Sequence, residues 1–210
     1  MEDQAAQIQK YMRKRLREFT DSTNDAAVRR DLAVLRRGVG KAPGEYPEIF
    51  GILFDINEFP ESLMSRYKDP SPAEWAVSSA LCLFALHQQG MDLHEQPMNK
   101  EDIPFGKAVR MLASDEDGLE RVRRRFNQVL EAPDIRSCTY YLRTLIQMLR
   151  TEKIPMNYPQ LAQDLYWFQI SEGRGLRGQT SPQDRVRLHW GQDFYRTKDN
   201  TKDKEEGGEE

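Results

Sequence analysis

Only two of the 210 residues are cysteine and only three are histidine, and these shortages exclude more functions than any motif adds. Cys82 and Cys138 sit far apart inside apolar helical patterns, so both are expected to be core thiols rather than a disulfide or a metal pair. His87, His94 and His189 occur in unrelated contexts, with no H-E-x-x-H and no paired ligand spacing. His87, at the end of an apolar stretch, reads as a dipole partner for a helix C-terminus. A Walker loop is missing too, and the many carboxylates fall on helix faces or acidic turns with salt-bridge partners at hand. No apolar run approaches the roughly 20 residues a membrane span needs, and the charged N-terminus offers no secretory core. Strand-like alternation and internal repeats are absent, which leaves an all-α chain, expected to be cytoplasmic, non-enzymatic and free of cofactor or metal.

What is present is arginine, arranged by helix. Asp25 to Lys41 reads as one amphipathic helix with Val28, Leu32, Leu35 and Val39 on its buried stripe. Arg29 with Arg36 and Arg30 with Arg37 occupy adjacent flanks, separated by the small Ala26, Ala33 and Gly40, and Lys41 extends that surface. Guanidinium groups grouped this way suit a polyanion, because their forks match phosphate oxygens and together release counterions. A merely solvated polar face is the competing reading.

Along the rest of the chain, Ala5 to Phe19 is a short amphipath suited to a docked lid, and Tyr46 to Phe54 a short buried helix. Pro60 and Pro70 bracket another. Ser71-Pro72-Ala73-Glu74 is a capping box opening a helix to Gly90, apolar on most sides and therefore central. Pro104 to Leu112 forms a short helix with Lys107 and Arg110 outward. Leu119 to Glu131 stacks Arg121 on Arg125 with Arg124 beside them, and Arg136, Arg143 and Arg150 recur every seven residues along the next helix, a line roughly 20 Å long. Helices over Pro159 to Ile170 and from Ser181 to Arg196 follow, the last with Arg185 and Arg187 near its start. Trp75, Trp167 and Trp190 fall on apolar helix positions and read as core, which speaks against base stacking. Ser171 to Thr180 reads as a mobile Gly-Arg loop. The net charge of −3 is set by residues 197–210, where three lysines meet six acids, a tail without apolar residues that is expected to be disordered.

Taken as an ordered series, LAVLRRGVGK, the PAEW to LFALHQQG helix, FGKAVRML, RRRFNQVLEA, YYLRTLIQMLR with IPMNYPQLAQDLYWF, and RVRLHWGQDFY resemble the CasB family, the small subunit of the type I-E CRISPR complex Cascade. The resemblance covers roughly Arg29 to Arg196. It implies a non-catalytic chain of two small helical bundles, divided here as 1–112 and 113–196, paired head to tail within a ribonucleoprotein. Guide RNA, target DNA and other Cascade subunits are the implied partners, together with a second copy of the chain. The family's basic surface maps onto Arg36, Arg37, Lys107, Arg124, Arg143, Arg185 and Arg187, while Arg29, Arg30, Lys41, Arg110 and Arg121 follow from helical projection alone. Two rival classes remain open. One is an adaptor whose basic helices dock acidic protein surfaces, and the other a helical hydrolase using His94 or His189.

Overall fold

A long helix that is apolar on nearly every side is the axle of the fold. In a computed structural model that describes residues 2–55, 57–170 and 180–196, Pro72–His87 (α4 in chain order) buries thirteen of its sixteen residues. Its start is fixed as its sequence requires. The Ser71 side chain accepts from the Glu74 N–H at 3.1 Å, and the Glu74 carboxylate accepts from the Ser71 N–H at 2.7 Å. The Ser71 hydroxyl also donates to the Leu63 carbonyl at 2.6 Å, tying the cap to the preceding loop.

Around this axle lie α1 (Glu2–Asp21), α2 (Asp25–Arg36), α7 (Ile135–Thr151) and α8 (Tyr158–Gln169), each packed directly on α4. The α5 helix (Phe105–Met111) packs on α9 (Pro182–Tyr195), α9 on α8, and α6 (Glu116–Leu130) on α7. The remaining α-helix, α3, is the single turn Phe50–Leu53. Among the described residues there is no strand, only an isolated bridge between Asn99 and Met156. Side-chain caps from Asn24, Asp115, Asp134, Asn157 and Ser181 set the starts of α2, α6, α7, α8 and α9. One apolar cluster, running from Ala5 to Phe194, takes side chains from both sides of residue 112.

Several local expectations are corrected. The α2 helix stops at Arg36, not Lys41: the N–H groups of Arg37 and Gly38 turn back to the Val34 and Leu35 carbonyls, and Gly40 adopts φ +80°. Within this turn Gly38 lies close to its neighbours: a Cβ there would sit 2.6 Å from Ile49 Cδ1 and 2.9 Å from Cys82 Sγ. Tyr46 to Phe54 divides into a 3-10 turn, Pro47–Ile49, and α3, with Phe50 exposed. Between Pro60 and Pro70 only the 3-10 turn Glu61–Leu63 forms. The α1 helix is a wall of the core rather than a lid: Ile8 and Met12 are fully buried, and the Tyr11 hydroxyl donates to the Leu53 carbonyl at 2.8 Å. Trp75 and Trp167 are only half-buried, leaving Trp190 as the core tryptophan. The Gly-Arg loop, except for Thr180, and the acidic tail lie outside the described residues.

Candidate nucleic-acid interface

Three helices contribute arginines that the fold links into one surface. On α2, Arg29 and Arg36 face a hollow of about 490 Å³ whose other side is the end of α4 and the loop after it, including Gln88, Gln89 and His94. Gln89 joins this hollow to α7 by accepting from Arg150 Nη1 at 2.7 Å. Arg143 stands two turns earlier on the same edge of α7. Gln147 and Thr151, on the adjoining face of α7, then line a larger cleft of about 790 Å³, whose opposite wall is α6 with Arg121, Arg124 and Arg125. The order across the surface is therefore α2, α7, α6.

Several arginines of this surface lack an ion-pair partner, although Asp25 and Asp92 line the α2 hollow. Among the described residues, Arg36, Arg121, Arg125, Arg143 and Arg150 form no ion pair. Burial, and secondly the charge of Arg150, hold the half-buried Arg36 guanidinium below the usual arginine range. Two like charges held near one another without a carboxylate raise the local potential that an anion would relieve. Arg29 and Arg124 are partly balanced, by Asp25 at 3.8 Å and Glu120 at 3.3 Å, but both remain largely exposed. Such exposed pairs hold their partners weakly and yield to a phosphate at little cost.

The remaining predicted residues lie apart from this surface or are already engaged. Arg30 pairs with Asp31 at 3.3 Å. Arg37 and Lys41 gather around Tyr46: Arg37 Nη1 donates to its hydroxyl at 3.2 Å, and Lys41 Nζ sits 4.5 Å from the ring centre. That hydrogen bond, the attraction of Tyr46 and the nearby Glu48 raise the Arg37 guanidinium above its ordinary range. Arg110 donates to the Ala113 carbonyl at 3.4 Å, two residues from the cleft-lining Leu112. Lys107 lies near Asp193 of α9, a carboxyl raised chiefly by burial and opposed by the charges of His189, Arg196 and Lys107. Arg185 borders a separate hollow of about 340 Å³ with Asp164, Trp167 and His189. Arg187 is turned inward, donating to Asp184 at 3.1 Å and to the Ala132 carbonyl at 2.9 Å, with its guanidinium over the Phe168 ring.

Two members of the surface, Arg125 and Arg150, are helix-edge positions in the sequence but not among its predicted contacts. The spacing of Arg125 behind Arg121 carries a signal, whereas the link from Arg150 to Gln89 spans 61 residues and has none.

Among the described residues no group of three or more His, Cys, Asp or Glu side chains is placed to hold a metal ion, and no helix is long and apolar enough to cross a membrane. His94 and His189 line different hollows. His87 is not a charged dipole partner. It is fully buried, its Nδ1 lies 2.9 Å from the Tyr158 hydroxyl, and burial pushes it down to about 4, so the ring is neutral near pH 7. Cys82 and Cys138 are free and buried, and burial pushes the Cys82 thiol up to about 12.

The fold recurs in known proteins. A family model for CRISPR-associated protein Cse2 matches residues 31–195. Comparison with curated proteins finds no match. The crystal structure of CasB from Thermobifida fusca is similar over 90% of this chain and 97% of its own, with 29% identity and a TM-score of 0.70. Two structures from Thermus thermophilus, one of CasB and one of a CRISPR-associated protein of the Cse2 family, share the fold at 19% identity and a TM-score of 0.61, over the same fractions. The chain therefore belongs to the CRISPR-associated Cse2 family, the CasB family of type I-E Cascade that its ordered motifs resemble.

Proposed function

We propose that this chain is a non-catalytic Cascade subunit that grips nucleic-acid backbone and stabilises the opened target during antiviral interference. Guide RNA and target DNA are its ligands, the other Cascade subunits and a second copy of the chain its protein partners, and the cytoplasm its location. The observation that carries the reading is the linked set Arg36, Arg150, Arg143, Arg121 and Arg125, none of them ion-paired among the described residues. Pairing between guide and target supplies sequence. The subunit supplies phosphate contacts that tip a nearly balanced strand exchange toward the open form. The other predicted residues except the inward-turned Arg187, from Arg29, Arg30, Arg37 and Lys41 to Lys107, Arg110, Arg124 and Arg185, act as secondary contacts where the assembled complex brings strand to them.

The test is the salt dependence of target-DNA engagement by the assembled complex carrying Arg36→Glu with Arg143→Glu. Losing two phosphate contacts lowers the slope of log K against log salt by about 1.4 for a single strand and about 1.8 for a duplex. An unchanged slope in a folded double variant rejects the mechanism. If the same surface instead docks an acidic subunit, crosslinking within the complex joins α6 and α7 to protein and not to RNA or DNA.

A further inference from the structure

The cleft between α6 and α7 has a composition that backbone gripping alone does not require. Its α6 wall carries Arg121, Arg124 and Arg125, yet its floor is apolar: Val122 is buried, while Leu112 and Met148 are half-covered and pack against the core. Amide and hydroxyl side chains, Gln128 and Gln147 with Thr144 and Thr151, complete the lining, and no carboxylate lines it. It is an open groove of about 790 Å³, wide enough to admit one nucleotide. A plain phosphate track needs cations and nothing else.

From this juxtaposition of the guanidinium groups of Arg121 and Arg125, which form no ion pair among the described residues, with an apolar floor and amide rim, we infer that the α6–α7 cleft seats one unstacked nucleotide of a single-stranded segment. The phosphate lies on Arg121 and Arg125 and the base on the Leu112–Met148 floor. The inference rests on the backbone-binding reading above and adds a base to it. Planar bases have apolar faces that the Met148 thioether can cover, and polar edges that glutamine amides and threonine hydroxyls can meet without selecting one base strictly. A base inside a duplex cannot reach such a floor, so the occupant is a strand whose bases are free. An acidic peptide would satisfy the arginines but has no flat apolar group to fill the floor.

The experiment uses the full chain labelled at its methionine methyls, with the Met148 signal assigned by Met148→Leu. It is titrated with oligothymidylate, oligouridylate, an abasic deoxyribose-phosphate strand of equal length, and polyglutamate. The Met148 methyl is expected to shift upfield with the base-bearing strands and to stay still with the abasic one, and the base-bearing strands to bind about fivefold tighter. Tighter thymidylate or tighter uridylate identifies the source as DNA or RNA. Arg121→Glu with Arg125→Glu abolishes the shift, and Arg121→Gln weakens binding while leaving the Met148 methyl shift at saturation intact. Equal binding of abasic and base-bearing strands with a silent Met148 overturns the nucleotide seat, even where the salt slope still supports phosphate contact. A Met148 shift with polyglutamate matching that of the strands, or no binding of any strand, overturns it as well.

Discussion

Adding one methyl group at Gly106 should loosen the α5–α9 contact and lower stability measurably. An ideal Cβ there falls 2.2 Å from the Trp190 carbonyl oxygen, 2.8 Å from Asp193 Cβ and 3.0 Å from the Phe194 nitrogen. Ordinary contact begins near 3.4 Å, and two of those atoms are backbone, so no rotamer change relieves the overlap and α5 must retreat from α9 by about 1 Å. That retreat strains the Phe105–Trp190 ring pair, whose centroids lie 5.0 Å apart. Overpacking of this kind costs about 3 kcal/mol, from which roughly 1 kcal/mol of improved helix propensity is recovered, leaving a net loss near 2 kcal/mol. For a chain of this size that corresponds to a fall in Tm of about 4–8 °C. Gly191 is the control, because it also lies within a helix but a Cβ there meets nothing within 4 Å. Scanning calorimetry should therefore show Gly106→Ala melting below wild type and Gly191→Ala melting at or above it. A Gly106→Ala protein as stable as wild type refutes the argument that α5 and α9 meet backbone to backbone.

Further outcomes follow from polar groups held within the fold. Burial, with a smaller push from Asp193, raises Asp164 to about 7 against the Trp190 N–H that donates to it at 2.7 Å. The native state thus holds a proton that the unfolded chain releases near pH 4, so this group's contribution to stability declines as pH rises from about 4 to about 7. Asp164→Asn should remove that decline, read as urea midpoints at pH 5 and 8, and an unaltered difference between the two would contradict it. His87 works in the opposite direction: with its folded value near 4, its contribution is complete above about 6.5 and is lost as pH falls toward 4. His87→Gln should flatten the acid limb of an unfolding curve followed by near-UV circular dichroism. Ser71→Ala removes the α4 cap and its bond to Leu63, an expected loss of about 1–2 kcal/mol by urea denaturation.

Where a short-range rule governs, the chain could be read directly. Ser71-Pro72-Glu74 and Ser181-Pro182 are caps whose chemistry is complete within four residues, and both helices start where those residues place them. The seven-residue spacing of Arg143 and Arg150 likewise needs only the geometry of one helix. Reading failed where a distant neighbour decides. Periodicity extends α2 to Lys41, but the chain turns after Arg36, with Gly38 packed close to the distant Ile49 and Cys82 and Gly40 at φ +80°. Trp75 occupies an apolar position by pattern, yet it stays half-buried with the Arg136 guanidinium 5.3 Å from its ring. Arg187 projects outward by position in its helix, and the Ala132 carbonyl, 55 residues away, draws it in. The candidate surface shows the same division: which arginines share a helix edge was legible, but that Gln89 bridges two of those edges was not.

The all-round greasiness of α4 bears on synthesis as well as on the finished molecule. Having no face for water, this helix emerges from the ribosome well before the partners it needs, since α7 and α8 begin 48 and 71 residues after its last residue, His87. Nascent chains that stop short of Gln169 carry an apolar rod covered only by α1 and α2, the kind of species holdase chaperones retain and proteases remove. Ribosome-bound fragments truncated between residues 90 and 150 should accordingly be captured by such factors, with release only after α8 has cleared the exit tunnel.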